Sequence, residues 1–246
     1  LLCFYQVYRS MVRAKVACLR LAQPGLSDAE SEQDRALYHS YLTLASSFTA
    51  TPTKGLIITH GLSASGKSTF SEKLAACCGA IHLKSDIERK RLYGLHATAN
   101  SQSPLDAGIY SPPATEATYE RLCLLAEAAY NAGYPVIIDA TFLKQPQRQR
   151  IHRLAMSLNA PLVILDFNVN ETELRHRIRQ RSTRGGEISE ANEVVLNQQL
   201  LEQHPLDATE RQVAIDVTPE TTVETVAAHI FKTFSRNERL APPHVT

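Results

Sequence analysis

An eight-residue segment a quarter of the way along the chain has the spacing of a phosphate-binding loop. It follows the pattern GxxxxGK[ST], and its members are Gly61, Leu62, Ser63, Ala64, Ser65, Gly66, Lys67 and Ser68. In such a loop the backbone N–H groups wrap a polyphosphate, the lysine reaches the outer phosphates and the hydroxyl ligates Mg²⁺. An apolar run precedes the segment, and a helical pattern that includes Thr69 follows it, so a helix N-terminus adds a favourable dipole. The pattern predicts a nucleotide site formed by residues 61–69.

The identity of the nucleotide rests on weaker signals. The guanine-reading sequence [NT]KxD does not follow the fourth predicted strand, so ATP is favoured over GTP. The turn at residues 216–219, after the last predicted strand, could border the adenine. It could equally be an ordinary turn between a strand and a helix.

Charged residues follow the second predicted strand, in the sequence Lys84-Ser85-Asp86-Ile87-Glu88-Arg89. The carboxyl ends of strands form the ligand crevice in open parallel sheets, so Asp86 is expected to face the site. There it could accept the proton of an attacking hydroxyl, and Arg89, one turn on, could hold the acceptor or the transferred phosphate. The alternative is that Ser85 or Asp86 only caps the following helix.

A carboxylate also ends the third predicted strand, in the sequence Val136-Ile137-Ile138-Asp139. An aspartate at this place holds Mg²⁺ directly or through water in phosphate-loop proteins. Many strands end in Asp, so the pattern has this meaning only because a phosphate loop precedes it. Ser68 and Asp139 are therefore the predicted metal ligands, and Thr141 is expected to face the same site.

Five arginines crowd ten residues ahead of a glycine pair. They are Arg175, Arg177, Arg179, Arg181 and Arg184. Asn170 with Glu173 resembles a capping pair that begins a helix, which places Arg177, Arg181 and Arg184 along one face. Because only Leu174 and Ile178 are apolar here, the helix is expected to be poorly buried and able to move.

An arginine lid of this kind would close over the phosphates, neutralise transition-state charge and exclude water. Arg181 and Arg184, nearest the glycine pair, are the predicted catalytic members, and Arg177 is a predicted phosphate contact. The alternatives are a solvated basic face or a contact to nucleic acid.

Two histidines lie close to these motifs. His60 precedes the loop and His82 stands in the second predicted strand. Both are expected to be packed histidines and not catalysts, and no spacing indicates a zinc site.

A parallel sheet with crossover helices on both faces would bring these groups together. Strand-like runs alternate with helical segments from Gly55 onward. The runs are 56–60, 80–84, 134–140, 161–167 and 212–217. Residues 94–113, rich in Ala, Ser, Pro and Asn, form a long connection and a candidate functional loop.

The first fifty residues show helical spacing and lie outside this alternation. Residues 2–22 and 30–48 each place apolar side chains three and four positions apart, and Thr51-Pro52-Thr53 separates them from the rest. We therefore expect a helical segment at 1–50 and the main domain at 51–246.

Composition excludes several classes of protein. The chain has 246 residues, 26 Lys and Arg against 25 Asp and Glu, and 43% hydrophobic residues. This near-neutral balance argues against a general nucleic-acid coat or a membrane-surface protein, although a local nucleic-acid contact stays open. No apolar run approaches the roughly 20 residues that a membrane helix needs.

Five cysteines form an odd number without a CxxC pair, which is typical of free thiols in a reducing compartment. The cytoplasm is the expected location. Basic residues interrupt the first apolar positions, so the start is not expected to be a signal peptide. Because the first residue is Leu1 and not Met, the sequence is expected to be a piece of a longer chain.

The motif set GLSASGKST, LKSDIERKRLYGL, YSPPATEATYERL, VIIDATFL and RxxxRxxR resembles a bacterial group of P-loop kinases. That group is related to the 5'-kinase domain of polynucleotide kinase and, more distantly, to zeta toxins and gluconate kinases. The resemblance covers about residues 55–235. It implies an α/β P-loop kinase fold with five parallel strands in the order 2-3-1-4-5. It also implies that Asp86 is the general base, Arg89 the substrate arginine, Asp139 the metal aspartate and 177–184 the lid.

This group often stands behind an aminoglycoside-phosphotransferase-like domain. The opening FYQVYRSMVRAKVACLRLA resembles the last helices of that domain, which is therefore an expected upstream partner. The resemblance implies transfer of the γ-phosphoryl group of Mg-ATP to a hydroxyl of a small molecule or a nucleic-acid 5' end. The alternative is an ATP-binding regulatory module that hydrolyses slowly and has no acceptor, since a switch needs no base at Asp86.

Overall fold

A computed structural model describes residues 2–49, 53–99, 101, 103, 107–184 and 193–240. The chain forms two compact units, Leu1–Pro52 and Thr53–Thr246. The strands are β1 Leu56–His60, β2 Ile81–Lys84, β3 Val136–Asp139, β4 Leu162–Asp166 and β5 Ala214–Asp216. The helices are α1 Leu2–Leu21, α2 Asp28–Thr49, α3 Lys67–Cys78, α4 Ser85–Leu92, α5 Pro112–Asn131, α6 Gln145–Ser157, α7 Glu171–Arg184, α8 Glu193–Glu202, α9 Ala208–Gln212 and α10 Val223–Leu240.

The five strands form one parallel sheet in the order β2-β3-β1-β4-β5. This confirms the predicted fold, including the strand order that the resemblance implies. β1 lies at the centre and is buried along its whole length, since a parallel sheet is covered by helices on both faces.

Successive side chains of the central strands pack into two different cores. Ile58 and Ile138 lie in one core with α5 and α6, whereas Ile57 and Ile137 lie in the other with α3 and α10. The apolar runs without alternation that the sequence shows in β3 and β4 follow from this burial on both sides. The carboxyl ends of the strands are thereby fixed side by side.

A buried arginine fixes the connection that leaves β3. Arg148 of α6 is 2% exposed and forms an ion pair with Glu210 through Nε at 2.8 Å and Nη2 at 3.0 Å. Its guanidinium also donates to the carbonyl oxygens of Phe142, Leu143, His204 and Pro205. One side chain therefore joins the end of β3 to the segment between α8 and α9.

Replacing Arg148 by methionine is expected to destabilise the second unit by about 3–5 kcal/mol, because Glu210 would then be buried without its partner. Equilibrium unfolding in urea measures this loss. The matched control is Arg153→Met in the same helix, whose side chain is exposed and which should change stability by no more than about 0.5 kcal/mol. Equal stability of the two variants would contradict the role assigned to Arg148.

In the first unit, α1 and α2 pack against each other through small side chains. Ala14, Ala17 and Ala45 are buried. Ser27 and Glu30 form a capping pair at the start of α2, where Glu30 N–H donates to Ser27 Oγ at 3.3 Å. The larger apolar side chains that show helical spacing in α1 are exposed; they are Tyr5, Tyr8, Val12, Val16 and Leu19. Within the described parts of both units, no helix is long and apolar enough to cross a membrane.

Candidate functional site

The phosphate loop joins the end of β1 to the start of α3, as its pattern predicts. Gly61 has a φ of +140°, and a Cβ atom there would lie 2.6 Å from the carbonyl oxygen of Phe167, so no other residue fits. Gly66 has a φ of +97° and directly precedes α3. Ala64 also adopts a positive φ, of 66°, which gives the loop its tight curvature. The Gly61 N–H donates to the carbonyl oxygen of Thr141 at 3.1 Å, so the loop is tied to the connection after β3.

The Lys67 amine lies inside the curve of this loop. Lys67 is buried, and its Nζ donates to the carbonyl oxygen of Leu62 at 2.6 Å and to Ser65 Oγ at 3.2 Å. A flexible lysine side chain is thereby held in one place. The loop thus presents a fixed positive charge next to its backbone N–H groups, an arrangement suited to a polyphosphate.

Asp139 ends β3 beside the first turn of α3. Its carboxylate accepts hydrogen bonds from the Ser68 hydroxyl and from His82 Nε2, the latter at 3.2 Å. Burial raises the pKa of Asp139, but the bonds from His82 and Ser68 and the charge of Lys67 outweigh it and leave the pKa below its ordinary value. The residue is therefore ionised at neutral pH.

An ionised carboxylate and a hydroxyl are oxygen donors of the kind that Mg²⁺ prefers, so Ser68 and Asp139 fit the predicted metal. Among the described residues, no group of three or more His, Cys, Asp and Glu side chains could hold a metal ion by itself. A nucleotide-bound Mg²⁺ takes one or two protein oxygens and obtains the rest from phosphates and water. His82 was expected only to pack, and its contact with Asp139 is new information from the structure.

Asp86 lies in the first turn of α4, two residues beyond the end of β2. The N-cap of α4 is Lys84, which makes no side-chain capping bond, so Ser85 and Asp86 lie inside the helix and not at the capping position. Lys84 pairs in register with Asp139 across the β2–β3 ladder. The two carboxylates therefore follow neighbouring strand ends, as the sequence analysis predicts for one crevice.

Arg89 is buried one turn beyond Asp86. Its Nη1 donates to the carbonyl oxygen of Ile109 at 3.0 Å and to Thr115 Oγ1 at 3.2 Å, and its guanidinium lies 5.1 Å from the Tyr110 ring centroid. Its Nε is buried without a hydrogen-bond partner among the described residues. Ile109 and Tyr110 belong to the candidate functional segment 94–113, and both contact Arg89.

A buried tyrosine that the sequence analysis did not single out connects these groups. Tyr119 of α5 shares hydrogen bonds with the Thr141 side chain and the Phe142 backbone. Burial raises the pKa of the Tyr119 phenol; the Thr141 bond and the charge of Arg89 oppose this, and the charge of Asp86 adds to it. The phenol that bonds to Thr141 is therefore also close enough to Asp86 and Arg89 to feel their charges. The motif YSPPATEATYERL, which contains Tyr119, was the sequence signal that could have identified this residue.

The arginine helix α7 begins as predicted, since the Glu173 N–H donates to Asn170 Oδ1 at 2.9 Å. Arg177 is held by Glu173 at 2.7 Å, and its Nη1 lies 3.4 Å from the carbonyl oxygen of Ala64 in the phosphate loop. Arg181 and Arg184 lie in α7, one and two turns further on, but their side chains are outside the described part of the structure.

Among the described side chains of α7, residues 171–180, only Leu174 and Ile178 are buried, in line with the expectation of a poorly buried helix. Leu174 and Ile178 are buried in a small cluster with Leu196 of α8 and Ala64 of the phosphate loop. These two apolar side chains are buried because α8, which the sequence analysis did not predict, covers them. The two remaining arginines tie the helices together: Arg179 pairs with Glu193 at 2.7 Å, and Arg175 donates to Asn197 at 2.6 Å.

The residue before the loop is fixed by a charged cluster. His60 Nδ1 lies 2.7 Å from Asp166 Oδ1, and Asp166 Oδ2 accepts from Arg211 at 2.7 Å. Burial raises the pKa of Asp166, but the bond and charge of His60 together with Arg211 lower it below its ordinary value. His60 is thus a packed, paired histidine, and it anchors the end of β1 to β4.

A parallel sheet in this order, with a phosphate loop after β1 and an aspartate at the end of β3, defines the P-loop kinase fold. Residues 56–206 match the family described as AAA domain, and because this match covers more than half of the chain, the protein belongs to that family.

Two curated mycobacterial proteins resemble the chain. They are Rv2004c of Mycobacterium tuberculosis (strain H37Rv) and Mb2027c of Mycobacterium bovis, each named an uncharacterized protein. Each is 29% identical over 179 residues, which cover 73% of this chain and 35% of the relative. The chain thus spans about a third of the length of the curated relatives it matches.

Solved structures with the same fold include three phosphate-loop proteins. A sugar kinase from Janibacter sp. HTCC2649 is 20% identical with a TM-score of 0.53, covering 77% of this chain and 99% of that chain. Chaetomium thermophilum Kti12, in complex with ADP-AlF3, is 15% identical with a TM-score of 0.55, covering 74% and 98%. Mycobacterium tuberculosis APS kinase CysC, in complex with AMPPNP and APS, is 15% identical with a TM-score of 0.51, covering 75% and 99%. At these identities the likeness shows the fold alone.

Proposed function

We propose that the protein transfers the γ-phosphoryl group of Mg-ATP to a hydroxyl group. One observation carries the proposal. Asp139, the predicted metal ligand, ends β3, and Asp86 follows the end of the neighbouring strand β2, whose last residue Lys84 pairs in register with Asp139. A nucleotide-binding module needs the loop and Asp139 only. A kinase also needs a base beside the phosphates, and the position of Asp86 after the neighbouring strand supports this role.

The nucleotide half of the site uses the loop residues 61–69. Backbone N–H groups would hold the polyphosphate, Lys67 would contact the β and γ phosphates, and Ser68 with Asp139 would hold Mg²⁺. When bound, Mg²⁺ neutralises charge on the β and γ phosphate oxygens. Complexes of fold neighbours with ADP-AlF3 and AMPPNP support ATP as the nucleotide.

The acceptor half of the site consists of Asp86, Arg89 and the residues around Tyr119. Asp86 would accept the proton of the acceptor hydroxyl. The acceptor oxygen would bond to the γ phosphorus, while the bond from that phosphorus to ADP breaks and ADP leaves. Arg89, one turn beyond Asp86, would hold the acceptor or the transferred phosphate. Acceptors within the proposal are small metabolites, sugar-like compounds and, less favoured, a nucleic-acid 5'-OH. The sugar kinase and APS kinase among the fold neighbours support a small molecule.

The helix α7 would act as a lid over the transferred phosphate. Arg177 already reaches the phosphate loop at Ala64, and Arg181 and Arg184 follow along the same helix. Replacing Arg181 and Arg184 together by alanine is expected to lower kcat by more than it raises the nucleotide Kd, since lid contacts tighten mainly in the transition state. Steady-state kinetics beside calorimetry measures both. Equal fold changes in kcat and in the nucleotide Kd would show that these arginines only bind the nucleotide.

Two further parts of the proposal concern a preceding domain and the cellular compartment. The motif FYQVYRSMVRAKVACLRLA supports an upstream phosphotransferase-like domain. The free thiols of Cys18, Cys77, Cys78 and Cys123 support a reducing compartment such as the cytoplasm.

Calorimetric titration with nucleotides tests the first half of the proposal. We expect ATP to bind more tightly with Mg²⁺ than in excess EDTA, because Asp139 is ionised and its charge repels a metal-free triphosphate. ATP is also expected to bind more tightly than GTP. Absence of any nucleotide binding would overturn the proposed site.

A further inference from the structure

One peptide group of the phosphate loop is held from both sides. The carbonyl oxygen of Leu62 accepts from Lys67 Nζ at 2.6 Å, and the N–H of Ser63 donates to Gln199 Oε1 at 2.9 Å. These two groups belong to the same peptide bond. Because that bond is planar and trans, its C=O and N–H point in opposite directions and turn together. A rotation that takes the N–H away from Gln199 therefore also takes the carbonyl oxygen away from Lys67.

Gln199 reaches the loop from a helix whose position is fixed independently of this hydrogen bond. α8 is tied to α7 by the Arg179–Glu193 ion pair, and its Leu196 is buried against Ala64 of the loop. Gln199 lies on the same helix, three residues beyond Leu196, and is half-buried. The amide is therefore placed by the packing of α8 against α7 and Ala64, and not by its own hydrogen bond to Ser63.

We propose that Gln199 is a positioning residue that acts on Lys67 through the Leu62–Ser63 peptide. It keeps the peptide carbonyl turned toward the lysine amine, so the amine is already ordered when a nucleotide arrives. This inference rests on the proposed nucleotide site, since it concerns the residue that would meet the outer phosphates. It assigns to α8 a role in nucleotide binding without a contact to the nucleotide itself.

A double-mutant cycle distinguishes this role from a merely structural one. In the otherwise unchanged protein, Gln199→Met should weaken Mg-ATP binding by about fivefold, the effect of losing one neutral hydrogen bond. In a Lys67→Ala background the same replacement should weaken binding by less than about twofold, because the group on which Gln199 acts is absent. Isothermal titration or displacement of a fluorescent ATP analogue measures the four affinities.

Gln203→Met is the matched control, because Gln203 is exposed just past the end of α8. It should leave Mg-ATP affinity unchanged. Gln199→Ala provides a second variant, and thermal unfolding of both checks that α8 stays folded. Equal losses in the two Lys67 backgrounds, or no loss in either, would overturn the role of Gln199. Failure of the unchanged protein to bind nucleotide would instead overturn the proposed function.

Discussion

Alanine in place of Lys67 is expected to lower kcat/KM for phosphoryl transfer by on the order of 10²–10³-fold, the usual loss when one charge-stabilising donor is removed. Lys67 is the only cation among residues 61–68. Its amine is held inside the loop by the Leu62 carbonyl oxygen and Ser65 Oγ, so it needs little rearrangement to meet a triphosphate. Nucleotide affinity should fall as well, because the β and γ phosphates contact this charge already in the ground state.

Lys73→Ala is the control for this variant. Lys73 is an exposed lysine of α3, so its removal changes net charge equally but leaves the loop intact. Turnover of purified Lys67→Ala close to that of Lys73→Ala would contradict the assignment of the nucleotide site.

The second large effect is expected for Asp86→Asn, which separates chemistry from binding. Asparagine keeps the size of the side chain and can hydrogen-bond, but it cannot take the proton of the acceptor hydroxyl. Transfer to the acceptor should therefore fall by roughly 10²–10⁴-fold, the range for a positioned general base, while Mg-ATP affinity hardly changes. A role in helix capping would leave turnover nearly intact, and the N-cap position of α4 is occupied by Lys84 and not by Asp86.

Asp28→Asn matches this replacement at another helix start, since Asp28 lies in the first turn of α2 and is exposed. It should retain both affinity and turnover. Acceptor-dependent ADP release, measured for both variants beside calorimetry, gives the comparison. Full turnover by Asp86→Asn would show that Asp86 is not the base.

Local sequence signals predicted the parts of the structure that depend on neighbouring residues. Gly61 and Gly66 mark the loop because a side chain would clash or strain the backbone there, and Asn170 begins α7 through a bond three residues away. The strand order followed from the family resemblance, since alternation of strands and helices alone allows several orders. The candidate site residues Lys67, Asp86 and Asp139 could be proposed because each stands in a short motif that follows or ends a strand.

Contacts between distant parts of the chain could not be predicted in this way. Arg148 binds Glu210, 62 positions away, and Gln199 binds the Ser63 amide, 136 positions away. Neither residue stands in a recognisable motif, and an arginine or glutamine in a polar helix is usually solvated. The helix α8, whose Leu196 packs against Leu174 and Ile178, was missed for the same reason, because it stands in no recognisable motif.

Product analysis by ³¹P NMR tests the central claim most directly. The unchanged protein is incubated with Mg-ATP and, in separate samples, with pooled sugars, a small-molecule metabolite extract and 5'-OH oligonucleotides. We predict a new phosphomonoester signal in at least one sample, rising in step with ADP and absent from Asp86→Asn. Release of ADP and inorganic phosphate at the same slow rate in every sample, with no phosphomonoester, would contradict the kinase and favour a nucleotide-hydrolysing regulatory module.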